Sequence, residues 1–155
     1  MSLIKTASLC LFLLLFGCAS PKEDPAAYAA WRGDNFIKYN ATQEGVVSLP
    51  SGLQYRVIQE GTGAKPGYRD KVTVHYRGTL IDGTEFDSSY KRGNPATFPV
   101  NRVIKGWTQA LGLMREGAKW ELFIPSDLAY GEQGSGEQIG PNETLIFEVE
   151  LIKVN

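Results

Sequence analysis

A chain of 155 residues has room for one ordinary domain and little more. Its 16 Lys and Arg against 17 Asp and Glu leave no basic excess, which argues against nucleic acid as the main partner. One His and two Cys cannot assemble a His/Cys zinc site, and 43% hydrophobic residues exclude wholesale disorder.

Residues 1–8 carry one positive charge, Lys5, and no acid; residues 9–16 are continuously apolar, and Gly17-Cys18-Ala19-Ser20 follows. A charged start, a short apolar run and small residues at its exit describe an export signal. The run is far shorter than the roughly 20 residues that span a bilayer. Leu15-Phe16-Gly17-Cys18 resembles a bacterial lipobox, which implies cleavage before Cys18 and lipid modification of that residue. On this reading residues 1–17 are a lipoprotein signal peptide, and Cys10 leaves with them. Residues 18–25 are then a tether broken by Pro21 and Pro25. Several acyl chains on one Cys give stable anchoring. Ala19 resembles the pattern of lipoproteins sent to the outer membrane, so the expected location is the envelope, facing the periplasm.

Residues 26–41 suit a helix through Ala29, Phe36, Tyr39 and further alanines, with Gly33 weakening its middle. Residues 45–52 (GVVSLPSG) read as a linker by their turn residues. Residues 26–50 are therefore expected to form a short helix and linker ahead of a domain over 51–155. From Leu53 the period becomes two: Leu53, Tyr55 and Val57 mark one strand, and Val72, Val74 and Tyr76 a second. Asp82-Gly83 supplies a tight turn before a short strand at 85–87. Residues 96–100 form a strand that Pro99 confines to an edge. Ile104, Trp107, Leu111 and Met114 recur at three-to-four spacing, which predicts an amphipathic helix over 103–114. Residues 119–124 alternate again. The Gly-rich stretch 125–142 is a long connection, a length that goes with function. Residues 144–154 give the clearest strand, with Leu145, Phe147, Val149 and Leu151 on one face. Mostly antiparallel strands with one central helix define an α+β domain.

Catalytic nucleophiles and acid–base pairs are scarce. His75 is isolated within a strand, where a structural or surface role is expected of it. Ser88-Ser89 lacks a G-x-S-x-G context. Asp82, Glu85 and Asp87 cluster around a hairpin, where such charges are ordinarily solvated. Gly61-Thr62-Gly63 with Lys65 is too short for a phosphate loop and precedes no helix. Aromatic and aliphatic residues near loops remain, and they suggest an apolar pocket rather than covalent chemistry.

Val74-His75-Tyr76-Arg77-Gly78 and Gly83-Thr84-Glu85-Phe86-Asp87-Ser88-Ser89 resemble the FKBP-type peptidyl-prolyl isomerases. So do Val103-Ile104-Lys105-Gly106-Trp107, Ile124-Pro125 with Leu128-Ala129-Tyr130-Gly131, and residues 145–151. Residues 49–55 resemble the envelope branch that includes the macrophage infectivity potentiators. That branch usually carries a long dimerising helix; residues 26–41 are much shorter, and a monomer is expected. The resemblance implies an antiparallel half-barrel sheet wrapped around one helix. It implies a catalytic set of Tyr76, Phe86, Asp87, Trp107 and Tyr130. Arg92, Phe98, Val103, Ile104, Ile139 and Phe147 would bind substrate, with Phe98 and Phe147 equally readable as core. Ala96, Ser135 and Gln138 depart from the family pattern on the loop side. No cofactor or metal is implied. The implied partners are proline-containing exported polypeptides and macrolide inhibitors such as rapamycin, and the alternative is a periplasmic chaperone or scaffold that binds prolyl segments without turnover.

Overall fold

The alternation of Leu145, Phe147, Val149 and Leu151 produces strand β7 (Leu145–Val154), whose apolar face is buried along its length. A computed structural model describes residues 22–155, and β7 lies near the middle of its single sheet. The other strands are β1 (Val46–Ser48), β2 (Gln54–Gln59), β3 (Lys71–Leu80), β4 (Glu85–Ser88), β5 (Ala96–Pro99) and β6 (Lys119–Ile124). Their order is β1-β2-β6-β7-β3-β4, with β5 also on β3, and every pairing is antiparallel.

Two elements share the free edge of β3. β5 pairs with its first half and β4 with its last turns, where the register shifts between Gly78 and Thr79. The short helix α2 (Ser89–Arg92) fills the gap between them. Ser88 caps it through the Lys91 N–H, and Gly93 ends it at φ 74°. The helix α3 (Lys105–Leu111) buries Trp107, Ala110 and Leu111 in the same core as Val72, Val74, Val149 and Leu151. Packing of this kind, rather than propensity, holds so short a helix.

The helix α1 (Pro25–Asn40) begins with Asp24 accepting hydrogen bonds from the Ala26 and Ala27 N–H groups. Its second half is pinned to the sheet. The Gln54 amide donates to the Ile37 carbonyl at 2.9 Å and accepts from Asn40 at 2.9 Å, and Phe36 meets the Phe123 ring at 6.0 Å.

Four expectations change. Residues 45–52 are not merely a linker, because Val46–Ser48 pairs with β2. The helix predicted over 103–114 contracts to Lys105–Leu111: Val103 is extended, and Leu113 and Met114 turn back to the Ala110 carbonyl. Its apolar period runs on through that turn, which is why Met114 is still fully buried. Gly33 is a point of close approach rather than a weakness, since a Cβ there would lie 2.4 Å from Thr144 Oγ1. The hairpin acids are not simply solvated. Glu85 pairs with Arg77 at 2.6 Å and Lys91 at 2.7 Å, and Asp82 accepts from the Thr84 N–H. The export signal, the lipobox and Cys18 lie outside the described residues. Among the described residues no helix is long and apolar enough to cross a membrane.

Candidate active site

Between the sheet, α3 and the connection before β7 lies a cavity of about 830 Å³. Trp107 forms its floor. It is brought there by α3, which opens directly after Ile104, and its indole is almost wholly buried. Three rings stand edge-on to it: Tyr76 from β3 at 5.3 Å and 85°, Phe98 from β5 at 5.8 Å and 90°, and Phe147 from β7 at 5.3 Å and 82°. Phe86 extends the wall, edge-to-face with Phe147 at 5.4 Å. Such edge-to-face pairs each add about 0.5–1.5 kcal/mol beyond simple burial, so the box is stiff. The Trp107 Nε1 is buried without a hydrogen-bond partner among the described residues.

One end of the box is polar. The Tyr76 hydroxyl donates to Asp87 at 2.5 Å, and Arg92 donates both to Asp87 and, at 2.8 Å, to the Tyr76 oxygen. The strands explain this meeting. Gly78 pairs with Asp87 across β3 and β4, and α2 returns Arg92 over the Tyr76 ring at 5.5 Å. Burial pushes the Asp87 carboxyl upward, but the Tyr76 and Arg92 hydrogen bonds and the Arg92 charge outweigh it and hold the group below its ordinary value. Burial, and then the Asp87 hydrogen bond, raise the Tyr76 phenol. Burial and the Asp87 charge raise Tyr130. At neutral pH the end therefore carries an ionised carboxylate, a guanidinium and two neutral phenols.

The cavity wall brings together Tyr76, Phe86, Asp87, Phe98, Val103, Ile104, Trp107, Tyr130, Ile139 and Phe147. Arg92 stands beside the wall, because both of its polar contacts are with the Asp87 and Tyr76 side chains. Phe98 and Phe147 serve pocket and core together. His75 stays out of the cavity: its Nδ1 meets Ser89 Oγ at 2.9 Å and its ring stacks on Tyr90 at 4.6 Å.

Sequence reasoning missed Arg102 and Glu137 on the rim, and Ser135 and Gln138 prove to line it as well. Arg102 had one available signal, its place directly before the Val103-Ile104 segment. Ser135 and Ile139 exchange backbone hydrogen bonds at 2.8 and 3.2 Å, which folds residues 135–139 into a small closed loop forming that wall. No group of three or more His, Cys, Asp or Glu among the described residues is placed to hold a metal ion.

A family model described as FKBP-type peptidyl-prolyl cis-trans isomerase matches residues 62–152. The chain belongs to that family. A second model, for a domain amino-terminal to such isomerases, matches residues 19–57. The chain is 61% identical over 123 residues to the outer membrane protein MIP of Legionella longbeachae, covering 79% of this chain and 53% of that one. It is 58% identical over 125 residues to the FKBP-type 22 kDa isomerase of Escherichia coli, covering 81% and 61%. The crystal structure of FkpA from Escherichia coli superposes with a TM-score of 0.82 at 44% identity, covering 86% of this chain and 62% of that one. The chain thus spans about half to three-fifths of the length of these curated relatives.

Proposed function

We propose that this FKBP-family chain is a peptidyl-prolyl cis-trans isomerase that acts on exported polypeptides in the bacterial envelope. The observation that carries the reading is the box of rings over a buried indole, closed at one end by Tyr76, Asp87 and Arg92. Rotation about a peptide C–N bond meets a barrier of about 18–20 kcal/mol, because conjugation must be broken. Only X–Pro has an appreciable cis population, and it interconverts over tens of seconds unaided. The planar amide is the more charge-separated form, so a dry aromatic site disfavours it relative to the twisted one.

In this scheme the proline ring packs on Trp107 between Tyr76, Phe98 and Phe147. The Ile104 N–H and Tyr130 hydroxyl hold flanking carbonyls, as the family resemblance implies. Asp87, fixed by Tyr76 and Arg92, faces the twisting bond. No bond is broken and no proton needs to move. A cavity of this volume also suits macrolide inhibitors such as rapamycin.

The reading extends to the rest of the chain. Residues 1–17 direct export, lipidated Cys18 and the short segment ahead of α1 tether the chain to the outer membrane, and residues 51–155 catalyse. The name of the Legionella relative, an outer membrane protein, supports that location.

The deciding experiment is proline-limited refolding of a reporter protein with the unlipidated chain. Catalytic acceleration is expected. Binding of prolyl peptides with no acceleration would replace the enzyme with a chaperone or scaffold. For the anchor, Cys18→Ser should abolish lipid labelling, and an unlipidated mature mass in the native host would refute it.

A further inference from the structure

The wall formed by residues 135–139 belongs to a longer strap, residues 131–142, that leaves the sheet after β6 and returns at β7. Its base is closed by the Asn142 N–H donating to the Gly131 carbonyl at 2.8 Å. Asn142 holds a left-handed backbone at φ 60°, and its side chain turns away from the cavity to donate to the Ala26 carbonyl of α1 at 3.3 Å. Next to it, Glu143 accepts from Arg32 of α1 at 2.8 Å. Both side chains of that pair are partly buried, and the Arg32 Nε has no hydrogen-bond partner among the described residues. Beyond Glu143, Thr144 packs on Gly33, where α1 approaches too closely for any side chain. α1 therefore grips three consecutive residues at the foot of the strap. Its other half is fastened independently to β2 and β6 through Gln54, Asn40 and Phe36.

We propose that Arg32 and Asn142 are positioning residues, through which α1 braces the strap and so holds the 135–139 wall against which the substrate binds. The proposal rests on the isomerase reading. Neither residue touches the cavity, so their effect falls on substrate affinity rather than on the chemistry at Trp107 and Asp87. Exposed loops open at little cost when few contacts hold them; beside its own backbone hydrogen bonds and the buried Ile139, this strap has the three α1 contacts at its foot.

The test uses the full chain and two variants. Arg32→Met removes the guanidinium and keeps much of the packing. Asn142→Gly keeps the left-handed backbone and removes the bond to Ala26. Each should raise KM for a prolyl peptide about five-fold, equivalent to about 1 kcal/mol, with kcat within two-fold of the parent. Amide exchange at Ser135 and Ile139 should quicken by a similar factor, while exchange at Leu151 of β7, whose N–H donates to the Ala118 carbonyl just before β6, stays unchanged. Arg32→Lys should restore part of the loss. Arg56→Met, which breaks the distant Arg56–Glu121 pair, should leave KM alone. Unchanged KM and exchange in both variants would overturn the brace. So would exchange that quickens equally at Leu151, since that is general destabilisation. If the parent chain shows no turnover, the isomerase reading fails, and the exchange rates alone decide whether α1 braces the strap.

Discussion

Gly78 offers the sharpest probe of the aromatic box, because its missing side chain is what lets two rings cross β3. A methyl group built there would lie 2.5 Å from Phe86 Cζ, 2.6 Å from Phe86 Cε2 and 2.7 Å from Phe147 Cε1. Carbon atoms pack at about 3.5–4.0 Å, so Gly78→Ala drives both rings back by about 1 Å. Overpacking of this kind costs about 1–3 kcal/mol, against a usual total stability of about 5–15 kcal/mol, and the domain should still fold. Catalysis is less forgiving, since a misplacement of about 1 Å can cost about 100-fold. A fall of about 10- to 100-fold in kcat/KM for a prolyl peptide is expected, with near-ultraviolet circular dichroism and cooperative melting retained. Gly83→Ala is the matched control. It strains a backbone at φ 86°, a cost of about 1–2 kcal/mol, yet nothing lies within 4 Å of the added atom. It should melt earlier and keep its kcat/KM. Full activity in Gly78→Ala, or an equal loss in Gly83→Ala, would show that the spacing of Phe86 and Phe147 does not govern the reaction.

Asp87→Ala should lower kcat/KM while thermal unfolding shifts little, because the side chain is half-exposed and fills no core space. Phe86→Ala should lower kcat/KM as well, since it removes a wall ring and the packing beside Asp87, and steady-state kinetics of both variants against the parent checks this. The rate should stay level from about pH 5 to about pH 9, because the Asp87 carboxyl is held low and the Tyr76 and Tyr130 phenols high. A depressed carboxyl contributes stability that is fully present above its unfolded value near about 3.9 and is lost as pH falls through the folded value; denaturant melts should show that loss in the parent and a smaller one in Asp87→Asn. A bell-shaped rate profile that vanished in His75→Gln would overturn the proton-free mechanism. The chain from residue 22 onward should sediment as a monomer, since the 16 residues of α1 present few positions for a seam and several of them already pack on the domain.

Much of this architecture was legible in one dimension. The alternating stretches at 72–76, 119–124 and 145–151 read as strands with one apolar face, because a period of two puts those side chains on one side; in β6 Phe123 is buried as well, on the opposite side and beside Phe36 of α1. The turn at Asp82-Gly83 and the edge position of Pro99 followed from local backbone chemistry. The aromatic residues of the pocket were legible through motif order. Other features were set by contacts between residues far apart in the chain, which no local pattern encodes. Arg32 reaches Glu143 across 111 positions, and Asn142 reaches Ala26 across 116. Gly33 reads as a flaw in a helix until Thr144 is seen against it, and Gly78 as an ordinary strand glycine until two rings close over it. Arg92 moves from the wall to a place behind Asp87 because α2 folds back over Tyr76, a turn that depends on β4 and β5 sharing one edge of β3. Period and turn chemistry determined which segments are strands and helices; close packing between distant segments decided which side chains meet.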